Sequence, residues 1–258
     1  MQLFLEAHPD HAQSNDGRFY MGMLMHRNRD YESAVKWFSQ YRPGRPGNER
    51  HSEYAFKYGY SLFMTGDHSR ARNLLAQLND QRSPWYTPAT YYLAHMAYLD
   101  KDFAEALGLF ALLENDPAFG PVIPYYKAHI YYLQQDYTSL LSSARDLLES
   151  ATPRRAPEIA RMIGDALFQQ GQFNESLPYL EQFIRQTPGS ASRDDHYQLG
   201  FAYLRSGDPA KAIRHLERAT SGTDKLAQNA WYHLGWAYLE TDQKRFARNA
   251  FQKAHEMG

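Results

Sequence analysis

Cysteine is absent from the 258 residues of this chain. Its absence excludes disulfide bonds, thiolate zinc sites and cysteine nucleophiles. A strong excess of either charge is also missing, because 28 Lys and Arg stand against 29 Asp and Glu. The chain therefore has no overall basic field to concentrate it on phosphate, and we expect no nucleic-acid partner.

Long apolar stretches are missing as well. The longest, residues 107–113 (LGLFALL), is far shorter than the roughly 20 residues that a helix needs to cross a bilayer. The first residues, MQLFLEAHPDH, have no basic segment followed by a long apolar one, so we expect them not to form a signal peptide. We therefore expect no membrane insertion, although 43% hydrophobic residues suffice for a sizeable core.

Motifs of catalysis are the third absence. The sequence has no phosphate-binding Gly loop with Lys, no paired-His metal helix and no Gly-x-Ser-x-Gly turn. Its acidic residues are scattered along the chain rather than paired. We therefore expect a protein that is not an enzyme and that uses no cofactor and no metal.

A repeat is what the sequence does contain. A small residue recurs as an anchor about every 35 residues. Twelve residues after the anchor stands a mostly small residue, and sixteen after it a mostly large one, which indicates two surfaces that meet there. The anchors are Gly22, Gly59, Ala94, Ala128, Gly164, Gly200 and Gly235, and the sixteenth residues are Phe38, Leu75, Phe110, Ala144, Leu180, Leu216 and Phe251.

Each repeat is predicted to contain two antiparallel helices. Apolar residues around the anchor have helical spacing, and the pattern breaks seven residues past it, often at a Gly suited to ending a helix. The break positions are Arg29, Gly66, Lys101, Gln135, Gly171, Gly207 and Asp242. The next residue is a predicted cap of the second helix in five repeats, at Asp30, Asp67, Asp102, Asp136 and Asp208. The second helices are predicted to end near Pro46, Pro84, Pro117, Pro153 and Pro188.

This pattern resembles the tetratricopeptide repeat across essentially the whole chain. The last repeat has nearly every landmark of that family, in Trp231, Leu234, Gly235, Tyr238, Ala247, Phe251 and Ala254. The resemblance implies an all-α fold, a right-handed superhelical α-solenoid of stacked antiparallel helix pairs. We expect one solenoid over residues 1–258, with repeats 1 to 7 at approximately 15–51, 52–86, 87–120, 121–156, 157–192, 193–227 and 228–258.

The fourth repeat departs most from the family pattern. Leu140 stands where the other repeats have a small residue, and Ala144 stands where most have a large one. We interpret this as an exchange of a large and a small residue that preserves the total volume, which cores tolerate better than a net change. The fold of the repeat is expected to survive it.

Both ends of the chain look like parts of repeats. Residues 1–14 resemble the tail of a preceding second helix with Pro9 as its terminator, and we expect the last second helix, with Phe246, Phe251 and Ala254, to lack a following helix that would cover it. We therefore expect a segment of a longer repeat protein, with weak end-to-end self-association. Long bacterial repeat proteins of the cell envelope are similar in style, which favours a periplasmic or cell-envelope location over a cytoplasmic one.

The resemblance implies that ligands bind on the concave side, which the first helices line. The relevant positions lie three residues before, one after and four after each anchor, and most of them are aromatic. Such rings offer rigid contact area to a ligand, although a ring at helical spacing also suits the seam between neighbouring helices. The predicted groove residues are Phe56, Tyr60, Phe63, Tyr91, His95, Tyr98, Tyr125, His129, Tyr132, Arg161, Phe168, Tyr197, Phe201, Tyr232 and Trp236.

Polar residues of the groove have plainer interpretations. Arg161 and Asp165 stand four apart on one helix face and are expected to form an ion pair. His95 and His129 occupy equivalent places in adjacent repeats, but two histidines without a third ligand make a poor metal site. The Lys and Asn with which some members of the family clamp a terminal carboxylate are not found at the corresponding places.

The function expected from these features is a scaffold that binds a peptide or protein segment along an aromatic groove. One alternative is the binding of glycans or cell-wall material, in which the same rings stack on sugar faces. Another is a purely structural spacer that joins other domains. The sequence does not identify the partner.

Overall fold

The computed structural model describes residues 2–8, 11, 13–44 and 48–258. These residues form α-helices and one short 3-10 helix, and no β-strand occurs among them. The chain has two compact units, Met1–Gly120 and Pro121–Gly258. The boundary between them coincides with the predicted start of repeat 4.

The N-terminal unit contains repeats 1 to 3. Each repeat pairs a long first helix with a shorter second helix, and the second helices of repeats 1 and 2 also contact the first helix of the following repeat. A short helix, α1, packs against α2 through the buried Leu5. The helices are α1 Gln2–Ala7, α2 Ser14–Arg27, α3 Tyr31–Gln40, α4 Glu49–Met64, α5 His68–Leu75, α6 Tyr86–Leu99 and α7 Phe103–Ala111.

The C-terminal unit contains repeats 4 to 7, with the same pairing of successive helices. The first helices of adjacent repeats also contact one another, α8 with α11, α11 with α13, and α13 with α15. A 3-10 turn, Gly120–Val122, precedes α8. The helices are α8 Ile123–Leu133, α9 Tyr137–Ser142, α10 Ala144–Glu149, α11 Ala156–Gln169, α12 Phe173–Gln186, α13 Arg193–Arg205, α14 Pro209–Ala219, α15 Lys225–Glu240 and α16 Lys244–Glu256.

The turns within the repeats have the left-handed backbone that was predicted for the Gly breaks, and the four breaks at other residues share it. All seven break residues adopt left-handed backbone, with φ between 56° and 85°. In each turn the next residue donates its N–H to the carbonyl five residues before it, as Asp67 does to Leu62 at 2.9 Å, so an otherwise unpaired carbonyl at the helix end is satisfied. All five predicted Asp caps accept a hydrogen bond from the backbone N–H three residues later.

The anchors are small because of contacts within each helix pair. A Cβ added at Gly22 would lie 2.5 Å from the Phe38 ring, and one added at Gly235 would lie 2.7 Å from the Phe251 ring. Gly59, Gly164 and Gly200 meet Leu75, Leu180 and Leu216 in the same way. The predicted meeting of two surfaces is confirmed: the sixteenth residue occupies the space that a side chain on the anchor would need.

Two predicted helix ends are wrong. Helix α5 ends at Leu75 and α7 at Ala111, well before Pro84 and Pro117. In both places the chain leaves the helix through tight hydrogen-bonded turns that bury a leucine, Leu78 after α5 and Leu113 after α7. Helices α10 and α12 do end within a few residues of Pro153 and Pro188, whereas Pro9 and Pro46 lie outside the described residues.

The second helix of repeat 4 is divided at Ser143 into α9 and α10. The two exchanged residues, Leu140 and Ala144, lie on opposite sides of the division, and both are buried with the anchor Ala128 in one apolar cluster. The exchange therefore leaves the core closed, but it accompanies a break that the sequence pattern did not predict.

Candidate ligand-binding face of the first helices

In the N-terminal unit, the predicted groove rings pack between adjacent first helices. Phe56 of α4 is buried and stacks on Trp85 with ring centroids 5.0 Å apart. Tyr60 and Phe63 both contact Tyr92 of α6, at 4.9 Å and 5.2 Å. These three rings therefore fill the seam between α4 and α6.

The groove residues of α6 are half-buried. The Tyr91 ring stacks on Phe119 at 4.7 Å, and the His95 ring lies 5.6 Å from Phe63. Tyr98 contacts Phe103 at 6.4 Å. Burial lowers the pKa of His95, so this histidine is neutral near pH 7.

Repeat 4 contributes Tyr125, His129 and Tyr132 from α8, all of them half-buried. The guanidinium of Arg155 lies 4.2 Å from the centroid of the Tyr125 ring, and the His129 ring is parallel to Tyr125 at 5.7 Å. The Tyr132 hydroxyl donates to Asp165 Oδ2 of α11 at 2.6 Å. Burial and this hydrogen bond raise the pKa of Tyr132.

The predicted ion pair between Arg161 and Asp165 is wrong. Arg161 Nε donates to Asp195 Oδ1 of α13 at 2.6 Å, and the Asp195 side chain is only 4% exposed. Asp165 instead accepts hydrogen bonds from Tyr132 and, at 2.7 Å, from Gln198 Nε2. Arg161 and Asp165 each find a hydrogen-bond partner on a neighbouring helix. These contacts replace the predicted ion pair between the two residues along α11.

Phe168 and Phe201 belong to an apolar cluster between α11 and α13. Their ring centroids are 5.7 Å apart, and each lies 5.4 Å from Phe173 of α12. Tyr197 stacks on Phe201 at 6.0 Å, and its hydroxyl lies 3.3 Å from Nδ1 of His233 on α15. These rings hold the helices of neighbouring repeats together.

Two groove rings differ from the other groove rings because they stay exposed. Tyr232 is 47% exposed and Trp236 is 45% exposed, and both lie on α15. They line a pocket of about 410 Å³. We call it the Trp236 pocket, and its lining residues are Phe201, Leu204, Arg205, Tyr232, His233, Trp236 and Glu240.

The sequence prediction missed Arg205, His233 and Glu240 of this pocket. A signal for them exists in the repeat itself. His233 lies two residues before its anchor, while Arg205 and Glu240 lie five residues after theirs. Because these positions are one residue away from those chosen as groove positions, a wider stripe on the first helix would have included them.

The described residues contain no group of three or more His, Asp or Glu that is placed to hold a metal ion. In the same part of the chain, no helix combines the length and the apolar character needed to span a bilayer.

These features define the class of α-solenoid proteins built from stacked helix pairs. Within that class, the chain contains tetratricopeptide repeats: the family model described as tetratricopeptide repeat matches residues 125–191 and 197–256, and solved tetratricopeptide-repeat structures share the fold. This fold is generally a non-catalytic scaffold for protein interaction. No curated protein sequence gives a significant match.

Three solved structures illustrate the likeness in fold. The C-terminal part of a TPR repeat-containing protein from Cytophaga hutchinsonii has a TM-score of 0.65 at 9% identity, over 93% of this chain and 95% of that one. A tetratricopeptide repeat protein from Parabacteroides merdae has a TM-score of 0.58 at 16% identity, over 96% and 94%. YrrB, described as a TPR protein with an unusual peptide-binding site, has a TM-score of 0.54 at 18% identity, over 66% and 84%.

Proposed function

We propose that this chain is a non-catalytic scaffold that binds a peptide or protein segment through its first helices, with the Trp236 pocket as one point of contact. The observation that carries the proposal is the exposure of Tyr232 and Trp236 beside a pocket of about 410 Å³. Most other groove rings pack against neighbouring rings of their own unit, whereas nearly half of each of these two faces solvent.

The composition of the pocket suits a peptide. Tyr and Trp combine large rigid rings with a polar tip, and both are enriched at the energetic centres of protein interfaces. Arg205 and Glu240 place one charge of each sign beside the rings, so side chains of either charge find a partner. The likeness to YrrB, whose description mentions a peptide-binding site, adds support at the level of the fold.

The competing functions make different predictions for the same rings. A glycan-binding protein would stack Tyr232 and Trp236 on sugar faces, and a spacer would use them for no ligand. The periplasmic or cell-envelope location and the end-to-end association both stay predictions. Phe246 of α16, which is 58% exposed, is a residue through which the association would occur.

A display selection tests the proposal. Random 12-residue peptides fused to a phage coat protein are selected on the whole chain, and the enriched peptides are synthesised with amidated C-termini for fluorescence anisotropy. We expect W236A to weaken binding of the peptides that use this pocket about thirtyfold, because truncating a central interface aromatic commonly costs about 2 kcal/mol.

The matched control is F246A, which removes an exposed ring outside the pocket. We expect F246A to bind the peptides as the unaltered chain does, and the thermal unfolding midpoint of W236A to change little. If no peptide is enriched, and soluble cell-wall polysaccharide binds in a Trp236-dependent way, the glycan function replaces the proposal. If neither a peptide nor the polysaccharide binds, the spacer function replaces the proposal.

A further inference from the structure

A second pocket lies in the N-terminal unit, where the end of α2 and the start of α3 face the middle of α4. Its volume is about 610 Å³. It includes the groove residue Tyr60, and its other polar lining comes chiefly from His26, Arg27, Arg29, Glu53 and Lys57. We call it the Lys57 pocket.

Cations outnumber carboxylates in this pocket. Arg27, Arg29 and Lys57 face a single acid, Glu53. Among the described residues, no carboxylate lies within ion-pair distance of any of these three cations. Other arginines of the same unit do have acidic partners: Arg50 pairs with Asp16, Arg70 with Asp67, Arg72 with Asp100 and Glu105, and Arg82 with Asp80.

Lys57 is held in place without neutralisation of its charge. Its ammonium lies 5.1 Å from the centroid of the Trp85 ring and 5.8 Å from that of Phe56. Contacts with ring faces orient an ammonium and leave its positive charge intact. The charge of Lys57 is therefore available to an anionic ligand.

His26 does not change this balance at neutral pH. Burial, with a contribution from the positive charge of Lys57, lowers the pKa of His26 to about 4. The Ser61 hydroxyl donates to the Lys57 carbonyl at 2.8 Å, so its oxygen is free to accept from His26 Nδ1 at 3.1 Å. His26 is thus a neutral, hydrogen-bonded wall of the pocket, and the charge comes from Arg27, Arg29 and Lys57.

We propose that the Lys57 pocket binds an acidic side chain, Glu or Asp, of a peptide partner, an inference that rests on the proposed function. The three unpaired cations supply the donors for a carboxylate. Met23 and Leu24, which also line the pocket, offer apolar surface to the stem of the side chain. Glu53 reduces the positive charge and so favours a carboxylate over a group with two negative charges, such as a phosphate.

The display selection described above also tests this inference, because a displayed peptide has no free C-terminal carboxylate at its fused end. We expect Asp and Glu to be enriched among the peptides selected on the unaltered chain. In a parallel selection on the variant R27Q/R29Q/K57Q, this enrichment is expected to disappear. Gln is suited to position 29, since Gln135 has the same left-handed conformation at the equivalent place in repeat 4.

Two controls separate local charge from total charge and from misfolding. The variant K36Q/R245Q/R248Q removes the same number of positive charges from exposed places outside the pocket, and we expect it to select acidic peptides as the unaltered chain does. The variant R27Q/R29Q leaves the Lys57 packing intact and serves if the triple variant unfolds early. Thermal unfolding midpoints are measured for each.

Affinities of a synthesised acidic peptide and its Glu-to-Gln counterpart complete the test. On the unaltered chain the acidic peptide is expected to bind about tenfold more tightly, with a preference that weakens as salt rises, and the triple variant is expected to bind both equally.

Peptides that are selected without acidic residues, or that bind the triple variant as tightly as the unaltered chain, overturn this inference and leave the scaffold function standing. If no peptide is enriched on the unaltered chain, the scaffold function itself fails. Binding of an anionic polysaccharide in place of peptides also overturns the inference.

Discussion

The anchor glycines are small because the second helix of the same repeat uses the space beside them. At Gly200 an added Cβ would lie 2.8 Å from Leu216 Cγ and 3.0 Å from the Leu216 backbone nitrogen. A side chain adjusts its rotamer, but a backbone nitrogen in a helix moves only if the helix moves. The close approach of α13 and α14 is therefore fixed by the anchor.

We predict that G200A destabilises the chain. Overpacking costs about 1–3 kcal/mol, and we expect this cost to exceed the gain of about 1 kcal/mol that Ala brings to a helix interior. The control is G108A in α7, where an added Cβ meets no atom within 4 Å, and there we expect a gain of about 0.5–1 kcal/mol. Urea unfolding measures both, and equal stabilisation by the two variants would contradict the packing argument.

The sequence predicted the role of a residue correctly where that role depends on the local backbone conformation rather than on the packing of neighbouring helices. The left-handed turns at Gly66, Gly171 and Gly207 and the five Asp caps followed from residue type and spacing, because Gly ends a helix and Asp caps the next one at the same step of several repeats. The partner of Arg161 was not predictable in this way. Its choice between Asp165 and Asp195 depends on how α11 and α13 pack, which spacing along one helix does not describe.

The turn between the two helices of a repeat accepts residues other than Gly at a cost. Arg29, Lys101, Gln135 and Asp242 are left-handed, with φ between 56° and 62°. A residue with a Cβ loses about 1–2 kcal/mol in this conformation, and Gly does not. The equivalent turns of repeats 2, 5 and 6 already have Gly66, Gly171 and Gly207.

We predict that K101G stabilises the N-terminal unit by up to about 1 kcal/mol, since relief of the left-handed strain exceeds the extra chain entropy that Gly loses on folding. The matched control is K36G in the interior of α3, which is expected to lose about 1 kcal/mol. Both are measured by urea unfolding at the same pH. A loss of stability in K101G would show that the Lys101 side chain contributes more than its backbone strain costs.

Ends of helices were the least predictable feature of the elements. Proline marks where a helix has to stop, but α5 and α7 stop earlier, because the turns that follow them bury Leu78 and Leu113. The division at Ser143 has the same character, since it lies between two buried residues, Leu140 and Ala144. In each case the position of an apolar side chain in the core decided the local structure.

The candidate site shows a similar limit. The repeat spacing predicted aromatic residues on one face of the first helices. In the structure these rings contact one another. The spacing did not distinguish Phe56, which is buried against Trp85, from Trp236, which is 45% exposed. Exposure depends on which neighbouring helix covers a position, and the sequence of one repeat contains no such information.

Across the chain, the repeat spacing stays regular from the first anchor to the last. The anchors Ala94 and Ala128, which fall in different units, are as far apart as anchors within one unit, to within a few residues. A linker between independent domains has no reason to preserve that period. The regularity is the basis of the prediction that residues 1–258 form one solenoid, in which the stability of each repeat depends on its neighbours.

We predict that a destabilising change in one unit lowers the stability of the other. Tryptophan provides the reporters, because Trp37 and Trp85 belong to the N-terminal unit and Trp231 and Trp236 to the C-terminal unit. In a W231F/W236F background, fluorescence reports on the N-terminal unit alone, and a W37F/W85F background reports on the C-terminal unit.

Into each background we introduce G164A, whose Cβ would lie 2.8 Å from Leu180 Cδ2. In a coupled array the urea midpoint falls in both backgrounds, with the larger fall in the C-terminal unit that contains the change. Each background without G164A supplies its own reference midpoint. If G164A moves only the transition reported by Trp231 and Trp236, the two units unfold independently, and the prediction of a single solenoid is wrong.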